Sequence, residues 1–248
     1  MDLENKLVAV VGLGMRTGVE TVKFLANQGA EIIITDTKSK AELEEELQEL
    51  ADYEFRLDLG GHTPELILKS DLIVVSPGVP TDISVLKQAR DKGIEIIGEI
   101  ELAYRFSNTP VVGITGTNGK TTTTTLLGEV TSNLERKVTV GGNIGRALIK
   151  DLPNLKPSDL SIAEISSFQL EEVQEFRPAI AVVLNITPDH LNRHADFAEY
   201  INAKKRLVTH QTDDDYAILN YDDQIVRGFA DDTEAEVIFF SRQEELTG

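Results

Sequence analysis

From Val111 to Thr122 the chain reads VVGITGTNGKTT: an apolar strand, a glycine-rich turn, and a Lys-Thr pair that opens a helix. That order builds a phosphate cradle. Successive backbone N–H groups and a helix N-terminus attract anionic oxygens. Lys120 adds a point charge for β- and γ-phosphates, and the Thr121 hydroxyl is placed for Mg²⁺. Gly116, Thr117, Asn118, Gly119 and Thr122 complete the loop. Gly113 and Gly119 enclose five residues where the usual pattern has four. Binding of a nucleoside triphosphate is the reading that uses every part of this run, against an incidental loop that would use none.

Strand and helix signals alternate on both sides of the loop. Apolar runs at 7–12, 31–35, 72–76 and 94–97 read as buried strands, with helical periodicity over 18–28, 40–51, 84–92 and 99–106. The pattern restarts at 111–114, with later strands expected at 137–140, 160–165, 180–186, 216–220 and 237–241 and a helix over 200–206. The fold class is therefore α/β: an N-terminal Rossmann-like parallel sheet over 1–106, followed by a P-loop-type ATPase unit over 107–248. The second unit is expected to be truncated, because no closing element follows 237–241 before Gly248, the alternative being a short natural protein.

The composition narrows the partners. A formal net charge of −18 opposes polyanions, so nucleic-acid binding is not expected, and any phosphate must be held by local cradles and cations. No apolar run reaches the ~20 residues of a membrane helix, and no secretory leader or cysteine is present, which fits a cytoplasmic protein. The acids of 41–54 read as the solvated face of a helix, and the Asp213–Asp215, Asp222-Asp223 and Asp231-Asp232 runs as exposed turns.

Three further clusters sit at expected strand ends. Gly12-Leu13-Gly14-Met15-Arg16-Thr17-Gly18 approximates a dinucleotide fingerprint with one residue too many, and Asp36 ends the next strand. A nicotinamide site, another nucleotide site and a structural glycine turn all satisfy it. Ser76-Pro77-Gly78-Val79-Pro80 is either a rigid turn or part of that site. Glu164 closes another strand and suits a Mg²⁺ ligand, or is an ordinary edge acid. Asn185–His194 gathers ionisable groups after the strand at 179–184, where a histidine such as His190 is either structural or a ligand, and the basic run Lys204-Lys205-Arg206 either meets phosphates or faces solvent.

TGTNGKTT, a Glu before Ser-Ser, Asn-x-x-x-Asp-His-Leu and Ala-Lys-x-Arg together resemble the central ATPase domain of the Mur ligases, the ATP-dependent amide-forming enzymes of peptidoglycan assembly. The resemblance spans nearly the whole chain. The GLG loop with Asp36-Thr37, the SPGVP run, Gly141–Gly145 and EISSFQLE point within the family to addition of D-glutamate to UDP-N-acetylmuramoyl-L-alanine. It implies that Lys120 binds ATP phosphates, that Thr121 and Glu164 hold a first Mg²⁺, and that His190 binds a second. It further implies that Lys204 is carbamylated into a metal-binding carboxylate. Asp36 and Thr37 would hold uracil, while Gly14, Arg16 or Thr17, Ser76 and Asn143 would hold the diphosphate and sugar, with His190 near the substrate. The extra loop residue leaves open whether Arg16 or Thr17 meets the phosphate. The family's adenine-holding segment and third, amino-acid-binding domain have no counterpart here, so the chain alone is expected not to form the amide. Competing readings are another amide-forming ligase of this superfamily, such as a folylpolyglutamate synthase, and a non-catalytic nucleotide-sugar-binding module. An NAD-dependent dehydrogenase would leave TGTNGKTT unexplained.

Overall fold

The computed structural model describes residues 1–246 and contains two sheets, each wholly parallel among those residues. The first is built from β1 (Leu7–Val11), β2 (Glu31–Asp36), β3 (Arg56–Leu59), β4 (Leu72–Val75) and β5 (Glu95–Gly98), in the order β3-β2-β1-β4-β5. The second contains β6 (Val111–Thr115), β7 (Val138–Gly142), β8 (Leu160–Glu164), β9 (Ile180–Val183), β10 (Tyr216–Asn220) and β11 (Glu236–Phe240), in the order β11-β10-β9-β6-β8-β7. The central strands are continuously apolar because helices cover both faces. In β1, Val8 and Val10 enter one buried cluster while Ala9 and Val11 enter another on the opposite face.

Each sheet has a point where the chain reverses its direction of growth, and the loops leaving the two strands there diverge into a crevice. In the first sheet that point lies between β1 and β4, which puts the Gly12–Gly18 loop beside the SPGVP run. In the second it lies at β6, between β8 and β9, so the phosphate loop, Glu164 and the Asn185–His190 segment emerge side by side.

Most elements lie within two residues of their expected bounds. The helix expected over 40–51 shrinks to Glu44–Gln48 between turns, although Leu43 and Leu50 are fully buried as its spacing required. The chain must turn early to enter β3, an edge strand that the apolar pattern does not announce because Asp58 is its one buried residue. The helix expected over 200–206 runs from Phe197 to Thr209, started by the Asp196 side chain accepting the Glu199 N–H.

The two sheets meet along a seam formed by the helix Glu99–Arg105. Glu101 is fully buried there and accepts the backbone N–H groups of Gln174, Glu175 and Phe176 and the Arg105 Nε–H. Glu99, also buried, accepts the Ile149 N–H at 2.7 Å. The apolar core is continuous across this seam, from Val10 and Leu25 through Ala103 and Ile149 to Phe176 and Leu207.

Candidate active site

The turn after β6 is held from behind. Asn185 clasps Asn118 by two bonds, taking its N–H on Oδ1 at 2.8 Å and donating Nδ2–H to its carbonyl at 2.9 Å. The Asn185 carbonyl also takes the Thr117 N–H, and the Thr117 hydroxyl lies 3.0 Å from the Tyr200 hydroxyl. Gly119 has φ +86, the left-handed geometry that lets the loop turn directly into the helix Lys120–Thr131. The first-turn N–H groups of that helix have no carbonyl of a preceding turn to accept them. Lys120 Nζ is folded onto the loop, 2.9 Å from the carbonyls of both Gly116 and Thr117. The result is a braced loop with a positive charge folded onto it and free N–H groups at the helix start, which fits a polyphosphate.

Thr121 and Glu164 come together as the sequence expected, with Thr121 Oγ1 donating to Glu164 Oε2 at 2.8 Å. Glu164 is 1% exposed, and its other oxygen takes the Asn143 Nδ2–H at 2.7 Å. The Asn143 carbonyl in turn takes an Arg16 guanidinium N–H at 2.7 Å. A single polar line thus runs from the glycine loop of the first sheet to the phosphate loop of the second. Arg16 is exposed and reaches across, whereas Thr17 is buried at the start of its helix; the guanidinium is the group of the two that faces the gap between sheets.

Lys204 is 2% exposed, with Nζ 2.9 Å from the Gly116 carbonyl and 4.8 Å from the Tyr200 ring centroid. Burial, and next the charge of Lys120, lower its pKa to about 7. A neutral amine is the form that can add CO₂, so this environment suits carbamylation chemically. His190 has φ +54, and its ring packs against Phe168 with centroids 5.1 Å apart. Its backbone N–H is taken by Asp189 Oδ1, and its Nε2 lies 3.6 Å from Asp189 Oδ2. Among the described residues no group of three or more His, Asp or Glu side chains could cage a metal. Thr121 with Glu164 offers the one- or two-ligand set with which Mg²⁺ binds beside phosphate oxygens, and so fits that ion. His190 would need the Lys204 adduct or phosphate to complete a second site.

In the first sheet, Gly14, Thr17, Asp36, Thr37 and Ser76 line one cavity of about 470 Å³, together with Lys38, His62 and Val79. Asp36 takes the N–H groups of Leu13 at 2.8 Å and Lys38 at 2.9 Å, locking the glycine loop to the end of β2. Ser76 Oγ donates to the Gly12 carbonyl at 2.6 Å and ties in the SPGVP run. A larger open groove of about 770 Å³ holds Arg206 of the basic run but none of the residues expected to bind a ligand. Arg90 pairs there with Glu172, and Arg206 donates to the Glu171 carbonyl.

Several neighbours were not singled out from sequence. Asn185 and Tyr200 brace the phosphate loop. His194 is buried, with Nε2 3.0 Å from Ser167 Oγ, and burial holds its pKa below the usual imidazole value. Glu171, beside it, is pushed up to about 7 by burial, against the opposing charge of Arg193. Arg193 crosses to the first sheet by donating to the Val79 carbonyl at 2.7 Å. For Asn185 alone there was a signal, its place as the first residue of the Asn-x-x-x-Asp-His-Leu pattern.

Residues 6–98 match the Mur ligase MurD-like N-terminal domain, and residues 114–247 match the Mur ligase middle domain. The chain belongs to the Mur ligase family. It is 48% identical over 246 residues to the UDP-N-acetylmuramoylalanine–D-glutamate ligase of Caldanaerobacter subterraneus subsp. tengcongensis, covering 99% of this chain and 54% of that protein. The ligase of the same name from Geotalea uraniireducens is 49% identical with the same coverages, and that of Clostridioides difficile 46% identical, covering 100% and 55%. The chain thus spans about half the length of these relatives. Its fold is that of the UDP-N-acetylmuramate:L-alanyl-γ-D-glutamyl-meso-diaminopimelate ligase from Neisseria meningitides, with TM-score 0.62, 20% identity and coverage of 95% and 78%. The UDP-N-acetylmuramate–alanine ligase of Thermotoga maritima shares it with TM-score 0.54, 18% identity and coverage of 97% and 53%. No helix among the described residues is long and apolar enough to cross a membrane.

Proposed function

We propose that this chain supplies the nucleotide-sugar and ATP sites of a ligase that joins D-glutamate to UDP-N-acetylmuramoyl-L-alanine, residues 1–106 holding the former and 107–248 the latter. The observation that carries this reading is the line Arg16–Asn143–Glu164–Thr121, which connects two phosphate-type loops. A ligase needs that arrangement, because the alanyl carboxylate tethered to one nucleotide must approach the γ-phosphate of another. A carboxylate is a poor electrophile toward an amine. Transfer of the γ-phosphoryl group to its oxygen, with ADP leaving, makes an acyl phosphate; the D-glutamate amine then attacks the carbonyl carbon, and phosphate departs with the oxygen.

Both reactants of the first step are anions, and their approach requires cancelled charge. Lys120 would do this at the β- and γ-oxygens, within reach of its present position on the loop. Mg²⁺, held by Thr121 and Glu164, would neutralise phosphate charge when bound. Lys204, neutral or as its CO₂ adduct, lies on the same carbonyl as Lys120, and His190 would face the acyl end of the sugar nucleotide. Asp36 and Thr37 would receive the uracil, and Arg16 the diphosphate.

The test is calorimetric titration of the chain with UDP-N-acetylmuramoyl-L-alanine, with NADH as comparison and a non-hydrolysable ATP analogue at the second site. Saturable binding of the sugar nucleotide and not NADH is expected. Lys120→Ala should weaken the ATP analogue at least about tenfold, the scale of a lost charge-assisted contact, and change sugar-nucleotide affinity little. Preference for NADH, or equal loss of both ligands in Lys120→Ala, would sink the assignment.

A further inference from the structure

His62 faces the first-sheet cavity from a position that no motif marks. It follows the edge strand β3 and lines the end of the cavity beside Asp36, Thr37 and Lys38. Its ring is fixed by the sheet below. Nδ1 lies 2.9 Å from the hydroxyl of Thr35, a fully buried residue on β2. The same hydroxyl lies 2.9 Å from Asp58 Oδ2, in the residue paired with Thr35 across the β2–β3 ladder.

The proton count on that hydroxyl decides which nitrogen of the neutral ring carries the hydrogen. Thr35 has one O–H to give. Asp58 already takes the Thr63 N–H at 2.8 Å and the Thr63 O–H at 2.6 Å, so it is an ionised acceptor with no proton of its own. The Thr35 proton therefore points at Asp58 rather than at the more distant Gly61 carbonyl, 3.3 Å away; otherwise an oxygen lone pair would face a carboxylate 2.9 Å away in a buried place. With its proton committed, Thr35 Oγ1 can only accept from His62. The ring nitrogen that meets it carries the hydrogen, and the lone pair of the neutral imidazole sits on Nε2. Nε2 has no protein partner among the described residues.

We propose that His62 is a recognition residue for the nucleoside, holding a fixed acceptor, Nε2, against an N–H or O–H donor of the bound nucleotide. This rests on the assignment of the cavity to a uridine nucleotide. Uracil offers such a donor at its ring imino group and ribose offers its hydroxyls, while a ring nitrogen lone pair in either place would be repelled. The selectivity originates in Asp58, which sets the ring's tautomer through Thr35 without lining the cavity itself.

The experiment is titration of the full chain with UDP, N3-methyl-UDP and 2′- and 3′-deoxy-UDP, for wild type, His62→Phe and His62→Gln. His62→Phe should bind UDP about tenfold more weakly, the scale of one hydrogen bond within a site, and His62→Gln, whose amide oxygen can replace Nε2, should recover most of that loss. One analogue should bind wild type about tenfold more weakly and lose nothing further in His62→Phe. Coupling to the N3-methyl compound assigns the donor to the base, and coupling to a deoxy compound assigns it to the ribose. Additive losses for every analogue, or unchanged UDP affinity in a His62→Phe protein of wild-type thermal midpoint, would overturn the proposal while the uridine site stood. If His62→Phe does not fold, the same coupling is read from His62→Asn, whose shorter side chain withdraws the acceptor. Wild-type protein that failed to bind UDP at all would overturn both readings together.

Discussion

Lys120 and Lys204 converge on one carbonyl oxygen, that of Gly116, each with Nζ at 2.9 Å. Burial, and next the nearby charge of Lys120, push the Lys204 ammonium down to about 7. The consequence for stability has a definite sign. Unfolded, Lys204 holds its proton up to its usual value near 10.5; folded, it releases it near 7, so the unfolded state binds more protons between those limits. Its contribution to stability is complete above the upper limit and is lost as pH falls through the lower one. Lys204→Met should therefore be more stable than wild type at pH 7, by roughly 1–3 kcal/mol, with the gap closing as pH rises toward 10. Urea unfolding of both proteins across that range, in CO₂-depleted buffer, measures it. A gap that stays constant with pH would mean that Lys204 titrates normally.

At the scale of elements, the site depends on where β7 ends. Gly142 has φ +98, and a Cβ there would stand 2.3 Å from the Glu164 carbonyl oxygen, a backbone atom that cannot swing aside. The turn it permits delivers Asn143, whose N–H meets that same carbonyl and whose side chain meets the Glu164 carboxylate. Gly142→Ala should cost about 1–3 kcal/mol and weaken Mg²⁺–ATP analogue binding beyond what the stability loss explains, because it moves Asn143 off Glu164. Thermal melts paired with calorimetry would separate the two effects, and unchanged nucleotide affinity would refute the link. These same elements explain what was legible in the sequence. The phosphate loop, Glu164 and Asn143 each follow a short apolar run, and a parallel sheet exposes its ligand-facing residues at such ends. Lys204 was legible only through the Ala-Lys-x-Arg pattern; nothing in helical spacing announces that its ammonium turns inward. His62 and β3 were illegible because an edge strand with one buried residue, an acid, has no apolar alternation to read. Tyr200, Glu171 and His194 come together only by packing of the helix Phe197–Thr209 on the Ser167–Leu170 turn, a long-range event with no local signature.

Across the whole molecule, two sheets that could each be a separate body are joined by buried carboxylates, and the polar line from Arg16 to Thr121 exists only while that seam holds. Glu101 carries most of the polar burden, since three backbone N–H groups and Arg105 all point at it. Glu101→Ala would leave the three backbone N–H groups without an acceptor, Arg105 keeping Glu95, at a cost of about 3–5 kcal/mol, and scanning calorimetry should resolve two transitions where wild type shows one. Glu99 adds a pH dependence of the opposite sign to that of Lys204. Burial raises its pKa from 4.5 to about 7, although the Ile149 N–H favours the charged form. Between those values the folded state holds the extra proton, so its contribution is complete below 4.5 and is lost as pH rises through about 7. Glu99→Gln keeps the acceptor for Ile149 and removes the titration. The wild-type thermal midpoint should therefore fall relative to that of Glu99→Gln between about pH 5 and about pH 8, a comparison that cancels the self-repulsion of a chain with net charge −18. Because Ile149 lies on the segment that begins with Asn143, sugar-nucleotide affinity should follow the same curve in wild type and be flat in the variant. Parallel pH profiles for the two proteins would mean that Glu99 stays ionised in the fold and that the seam does not sense pH.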